Sequence, residues 1–139
     1  SLNERIARHG LQKHFVQARH ISRALIPDVF HDLDLSVSTH RNEGFGIVHL
    51  ESLASLTPVV AYNSGGLVEI LGKGGGVLVD GGPGEFAQAV VELLSDDGRR
   101  RRLGLEGRKA VEDRFSIDAM GRESLRYYED ILSGKACRS

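Results

Sequence analysis

Residues 43–66 read EGFGIVHLESLASLTPVVAYNSGG. The stretch parses as loop, helix, strand and loop. Gly44 and Gly46 bracket Phe45 just ahead of an apolar helix that begins near Ile47. A glycine turn feeding a helix start leaves backbone N–H groups unpaired and directed outward. The helix dipole adds roughly half a positive charge there, so the end is a natural seat for a phosphate. Two carboxylates flank it: Glu43 before the turn and Glu51 one helical turn beyond Ile47. An acid carried inward on a mostly apolar helix needs a polar partner, because an unpaired buried charge is costly. Sugar and ribose hydroxyls would supply one. A strand at 58–62 follows, then a second turn at 63–66 and a short segment holding Glu69. A nucleotide sugar seated at strand ends would touch both turns.

Upstream of this stretch, residues 2–9 read as the end of an amphipathic helix that Gly10 stops. Phe15 and Val16 are a short strand candidate, followed by Arg19 and His20. Pro27 suits the first turn of a helix running to about residue 32. Residues 33–38 alternate and end in polar residues, as a parallel strand entering a loop does. His40 and Arg41 then approach Glu43, either to meet a phosphate or acceptor or as an exposed loop pair. In the central helix Ile47, Leu50, Leu53 and Ala54 recur at helical spacing, with His49 roughly opposite Ile47 and outside the site. Val59, Val60 and Ala61 form an apolar strand of the buried parallel type.

Downstream, KGGG at 73–76 is a turn into a strand ending at Val79. The spacing predicts a helix over 83–94 with Phe86, Ala87, Val90, Val91 and Leu94 on one face. Asp96 and Asp97 cap the next helix, whose run of four basic residues from Arg99 to Arg102 is expected to be a solvated face. Ser116 is a good N-cap, and Phe115 before it could staple back onto the helix that follows. Ile117, Met120, Gly121, Leu125, Tyr128 and Leu132 make one stripe, which reads as core packing. Strands alternate with helices throughout, so the fold class is α/β, a doubly wound, Rossmann-like parallel sheet with helices on both faces.

At 139 residues the chain suits one domain. A net charge of −1 gives no argument for nucleic-acid binding. The single cysteine, Cys137, excludes an internal disulfide framework and a cysteine-based metal cluster. No run of about 18 apolar residues could span a membrane. The start, SLNERIARHG, lacks the apolar middle of a signal peptide.

The ordered set of Glu43, GFG, Glu51, PVVA, GG and Glu69 resembles the signature of retaining, nucleotide-sugar-dependent glycosyltransferases of family 4, which have the two-lobed GT-B fold. DLSVS at 34–38, the strand ending at Val79 and the Phe115-Ser116 pair extend the likeness from about Val16 to Tyr128. The resemblance implies a partial C-terminal, donor-binding lobe over 1–139, with 116–133 as its C-terminal helix and the acceptor lobe absent. It assigns Glu43 a catalytic place on the donor sugar hydroxyls. It sets the N–H groups of Gly44, Phe45 and Gly46 beside the sugar, those of Ile47 and Val48 on the diphosphate, and Glu51 on the ribose. Arg19 stands near the base, where the family often has glycine; it either stacks on the base or is a solvated loop arginine. Leu56 also departs from a common glycine, and Thr57-Pro58 is then expected to end the helix. No cofactor and no metal are implied. The partners are a nucleotide-sugar donor, an unidentified saccharide, lipid or small acceptor, and the missing N-terminal lobe. Localisation would be cytoplasmic, with a peripheral place at the inner membrane face through that lobe. The alternatives are a non-catalytic nucleotide- or sugar-binding module and a GT-B sugar-nucleotide epimerase. Alone, the chain is expected to be inactive and to self-associate through an exposed strand edge. Phe15-Val16 is expected to pair with residues 35–38 or to stay unpaired.

Overall fold

The computed structural model describes residues 1–41 and 44–134. Glu43, the residue assigned to the sugar hydroxyls, lies outside them. Among the described residues α-helices and strands follow one another as α1 (Leu2–Arg8), α2 (Ile26–His31), β1 (Ser36–Ser38), α3 (Ile47–Ala54), β2 (Val59–Tyr62), α4 (Leu67–Leu71), β3 (Gly76–Val79), α5 (Pro83–Leu94), α6 (Asp97–Arg114) and α7 (Ile117–Leu132). The sheet order is β1-β2-β3, all parallel, with Val60 opposite Val37 and Val77. Central β2 is buried on both faces, which is why it reads as an unbroken apolar run. Val59 and Ala61 pack with Leu53 of α3 and with Leu67, Ile70 and Leu71 of α4. Val60 and Tyr62 pack on the opposite side with Phe86 and Leu93 of α5. Helices therefore cover both faces, as the alternating pattern predicts. Among the described residues no helix is long and apolar enough to cross a membrane.

Phe15 and Val16 form no strand. They follow a short 3-10 turn, Gln12–His14, and Val16 is 92% exposed. Of the two expected outcomes the unpaired one is found, because two apolar residues without a neighbouring ladder cannot satisfy their backbone groups as a strand.

The end of α3 differs from expectation in an instructive way. Leu56 itself takes the left-handed conformation, φ 67°. Its N–H donates to Leu53 O (3.0 Å), and Thr57 N–H donates to Ser52 O (3.0 Å). This is the hydrogen-bond pair that usually closes on glycine, here completed by leucine rather than by Thr57-Pro58. Ser52 Oγ donates to Thr57 O, and Thr57 Oγ1 to Phe30 O, which locks the turn onto α2. Helix α6 also crosses close by: a Cβ on Gly104 would lie 2.1 Å from Leu56 O. The buried face of α6 is Gly104, Gly107 and Ala110, small residues that let backbones approach.

Four expected faces are corrected. In α3 the buried side is His49, Ser52 and Leu53, with Leu50 packed against the same cluster, while Ile47 is exposed. In α5 the inward residues are Phe86 and Leu93, with Ala89 and Val90 partly buried; Ala87, Val91 and Leu94 face solvent. Arg100 is not solvated. Its guanidinium donates to Leu93 O and Leu94 O at the end of α5 and to Asp97, so it satisfies carbonyls a helix terminus leaves open. The stripe on α7 is not core: Ile117, Met120, Leu125, Tyr128 and Leu132 are exposed, and only Ala119 is buried among the described residues of that helix. Periodicity shows that one face is apolar, not that something covers it. Phe115 also packs onto the α3–α4 cluster rather than stapling α7. The caps are as expected: Asp96 accepts from Arg99 N–H and Ser116 from Ala119 N–H.

Candidate functional site

Beyond the carboxyl ends of the strands lie loop residues 39–41 and 44–46 after β1, 63–66 after β2 and 80–82 after β3. In the first, Gly46 is the N-cap of α3 and stands at φ 80°, ψ 49°, a left-handed conformation that a side chain would strain. Among the described residues no side chain caps this end. The helical ladder begins with His49 N–H donating to Gly46 O at 2.9 Å. Ile47 and Val48 therefore precede the first intrahelical bond, and their N–H groups belong to the unpaired first turn. Both side chains are more than half exposed, so the end is open to solvent.

The second loop closes against the first. Asn63 N–H donates to Val79 O (2.9 Å), Ser64 N–H to Tyr62 O (2.9 Å), and Gly65 takes φ 60°. Gly66 then comes so near Gly44 that a Cβ on it would lie 2.2 Å from Gly44 O. The two glycine turns read from sequence as one site are thus in backbone contact.

Glu51 stands one turn into α3, half-buried, and makes no hydrogen bond or ion pair with a described residue. It shares the open side of the helix with Ile47. Gly44 and Phe45 are exposed and Gly46 is buried. Arg19 lies in an exposed bend, and no hydrogen bond, ion pair or ring contact joins it to these residues. His49 is buried on the other face of α3.

Arg41 is exposed, as one of the two expected alternatives has it, yet its guanidinium is held in place. Its guanidinium lies over the Tyr62 ring, 3.9 Å from the centroid, and its Nη2 donates to Gly81 O at 2.9 Å. It ties the segment after β1 to the end of β2 and to the loop after β3. Sequence periodicity carries no signal for such a contact, nor for the approach of Gly66 to Gly44. Asn63 Nδ2 donates to Asp80 Oδ1 at 2.7 Å and joins the second and third loops in the same way. Among the described residues no group of three or more His, Cys, Asp or Glu side chains could hold a metal ion. A cleft of about 440 Å³ lies against Glu69, Asp113, Arg114, Phe115 and Arg122. Its mixed charges favour neither an anion nor a cation.

These features describe a doubly wound α/β lobe whose glycine turns meet at the carboxyl ends of its strands. The chain belongs to the glycosyl transferases group 1 family, which it matches over residues 1–110. It is 30% identical over 132 residues to the alpha-1,3/1,6-mannosyltransferase of Mus musculus, covering 94% of this chain and 32% of that protein. It is 37% identical over 120 residues to the D-inositol 3-phosphate glycosyltransferase of Xylanimonas cellulosilytica, covering 85% and 28%. A solved C-terminal domain of a glycosyl transferase group 1 family protein from Francisella tularensis superposes with a TM-score of 0.72 at 27% identity, covering 84% of this chain and 61% of that one. Sucrose-phosphate synthase from Thermosynechococcus elongatus shares the fold, with a TM-score of 0.83 at 24% identity, over 96% and 34%. The fold is that of a lobe of the GT-B glycosyltransferases. The chain spans about a quarter to a third of the length of the curated relatives it matches.

Proposed function

We propose that this chain is the donor-binding lobe of a retaining glycosyltransferase that moves a sugar from a nucleoside diphosphate to an acceptor hydroxyl. One observation carries the reading: the open start of α3, where the unpaired first turn, the abutting Gly66 and the half-buried Glu51 converge. In this assignment the N–H groups of Ile47 and Val48 take the diphosphate, with the helix dipole behind them. Those of Gly44, Phe45 and Gly46 lie beside the sugar, Glu51 accepts from the ribose hydroxyls, and Glu43 from the sugar hydroxyls. As the sugar–phosphate bond breaks, negative charge grows on the departing diphosphate. Donors already fixed in place stabilise it without reorganising, and this is the main catalytic contribution. The acceptor and much of the specificity belong to a second lobe, so this chain by itself is expected to show no transfer. Arg19 is retained as a base-stacking candidate through its planar guanidinium.

The test uses a chain carrying both lobes. Glu51→Gln should weaken nucleoside diphosphate binding by about 1–3 kcal/mol, as for a lost hydrogen bond to a charged group. Glu43→Ala should lower the transfer rate more than it lowers that affinity. Unchanged affinity in the first variant, or equal losses of rate and affinity in the second, would overturn the assignment.

A further inference from the structure

A turn built on Gly44 and Gly46 has little stiffness of its own, and among the described residues no side chain caps the helix it feeds. Its shape has to be held from outside. Gly66 bounds it on one side through Gly44 O. The other contact is made by Phe45, whose ring meets that of Phe115 edge-on, with centroids 5.9 Å apart and an interplanar angle of 69°. Phe115 comes from far along the chain. It is the C-cap of α6 and directly precedes Ser116, the N-cap of α7.

Phe115 is itself braced. Its ring packs onto the cluster that contains Leu53, Leu67 and Ile70. Arg114 lies over it, with the guanidinium carbon 4.9 Å from the ring centroid. That guanidinium donates to the backbone oxygen of Glu69 at 3.2 Å and to its carboxylate at 3.4 Å. Glu69 belongs to α4, the helix that opens at Gly66. Both contacts on the turn are therefore anchored to α4, one through backbone and one through the Arg114–Phe115 brace. We propose that Phe115 is a positioning residue for the turn that presents the first-turn amides of α3, acting through Phe45. The coupling rests on the proposed function only for what the turn binds, not for the contact itself.

The alternative is that Phe115 is a core residue whose loss weakens the whole lobe evenly. Amide exchange followed by NMR on the full chain separates the two. His49 N–H and Leu50 N–H, both bonded to Gly46 O, report the turn; Ser36 N–H and Val59 N–H, bonded to Pro58 O and Gly75 O, report the sheet. Phe45→Leu and Phe115→Leu should each speed exchange at His49 and Leu50 by about 2- to 12-fold, the equilibrium shift of one lost aromatic pair. Exchange at Ser36 and Val59 should change less. The double variant should add little to either single one. Phe45→Tyr, at a half-exposed ring that keeps its edge, should restore wild-type exchange. Equal acceleration in turn and sheet, or additive effects in the double variant, would overturn the proposal. The Phe45 variants, which lie outside the core, keep the test decisive if Phe115→Leu folds poorly. Titration of UDP and of GDP into the wild-type chain is the companion measurement. If neither moves any amide of the turn, the donor-site reading falls, while the exchange result still decides the role of Phe115.

Discussion

Replacing Gly66 with alanine tests the contact that makes two turns into one site. Gly66 has φ −64° and ψ −17°, an ordinary right-handed conformation. Alanine is unstrained there, and the loss of unfolded-state freedom would by itself stabilise the chain by about 0.4–1 kcal/mol. Against this, the new Cβ would lie 2.2 Å from Gly44 O and 3.1 Å from both Gly44 C and Phe45 Cα. All three are backbone atoms, so no rotamer change relieves the clash. A carbon–oxygen contact settles at about 3.3 Å, and the 44–46 turn must therefore move by on the order of 1 Å. Overpacking of this kind costs about 1–3 kcal/mol and outweighs the entropic gain. The net loss is about 1–2 kcal/mol, which lowers the thermal midpoint by about 3–10 °C at this chain length. Circular dichroism gives the midpoint, and amide chemical shifts of residues 44–48 give the displacement. An unchanged or raised midpoint with unmoved shifts would show that the turns are not in contact and would refute the argument.

Leu56→Gly should stabilise the fold by up to about 1 kcal/mol, because glycine removes the cost of a left-handed residue; urea denaturation would show it as a raised midpoint at unchanged slope. Arg41→Ala should destabilise by about 1 kcal/mol through the lost contacts with Tyr62 and Gly81 O, with the amides of residues 80–82 shifting most. Lys109 Nζ donates to Asp113 Oδ2, and this hydrogen bond together with the Asp113 charge raises the ammonium pKa above 10.5. Its contribution is therefore complete below 10.5 and lost only as pH rises through the folded value. The difference in thermal midpoint between wild type and Lys109→Ala should stay constant through neutral pH and shrink only in strong alkali.

The residues that a local rule governs were legible in advance. Val59 to Tyr62 could only be a buried strand, Asp96 and Ser116 could only be caps, and the alternation of elements required a parallel sheet. The turn before α3 was legible for the same reason, since two glycines ahead of an apolar helix leave few other shapes. What stayed hidden depends on contacts between distant segments. On α3 Leu50 and Leu53 meet the core as their spacing predicts, but burial is shifted round the helix toward His49 and Ser52, the latter bonded to Thr57 O, and leaves Ile47 exposed. Helix α6 packs through Gly104 and Gly107, which give no hydropathy signal. Tyr128 and Leu132 on α7 carry a clear stripe that no described residue covers. The burial of Arg100 under the end of α5 and the bracing of Phe115 by Arg114 are pairings that a one-dimensional pattern does not encode.

The central claim is that the open first turn of α3 receives the diphosphate of a nucleotide donor. It is tested most directly by titrating UDP and GDP into the 15N-labelled chain and following every backbone amide. NMR detects millimolar affinity, so even weak binding remains measurable. At least one of the two nucleotides should produce saturable shifts centred on Gly44 to Val48 and Glu51, which Glu51→Gln weakens. Shifts confined to other surfaces, such as Arg101 and Arg102, or no saturable shift with either nucleotide, would contradict the claim.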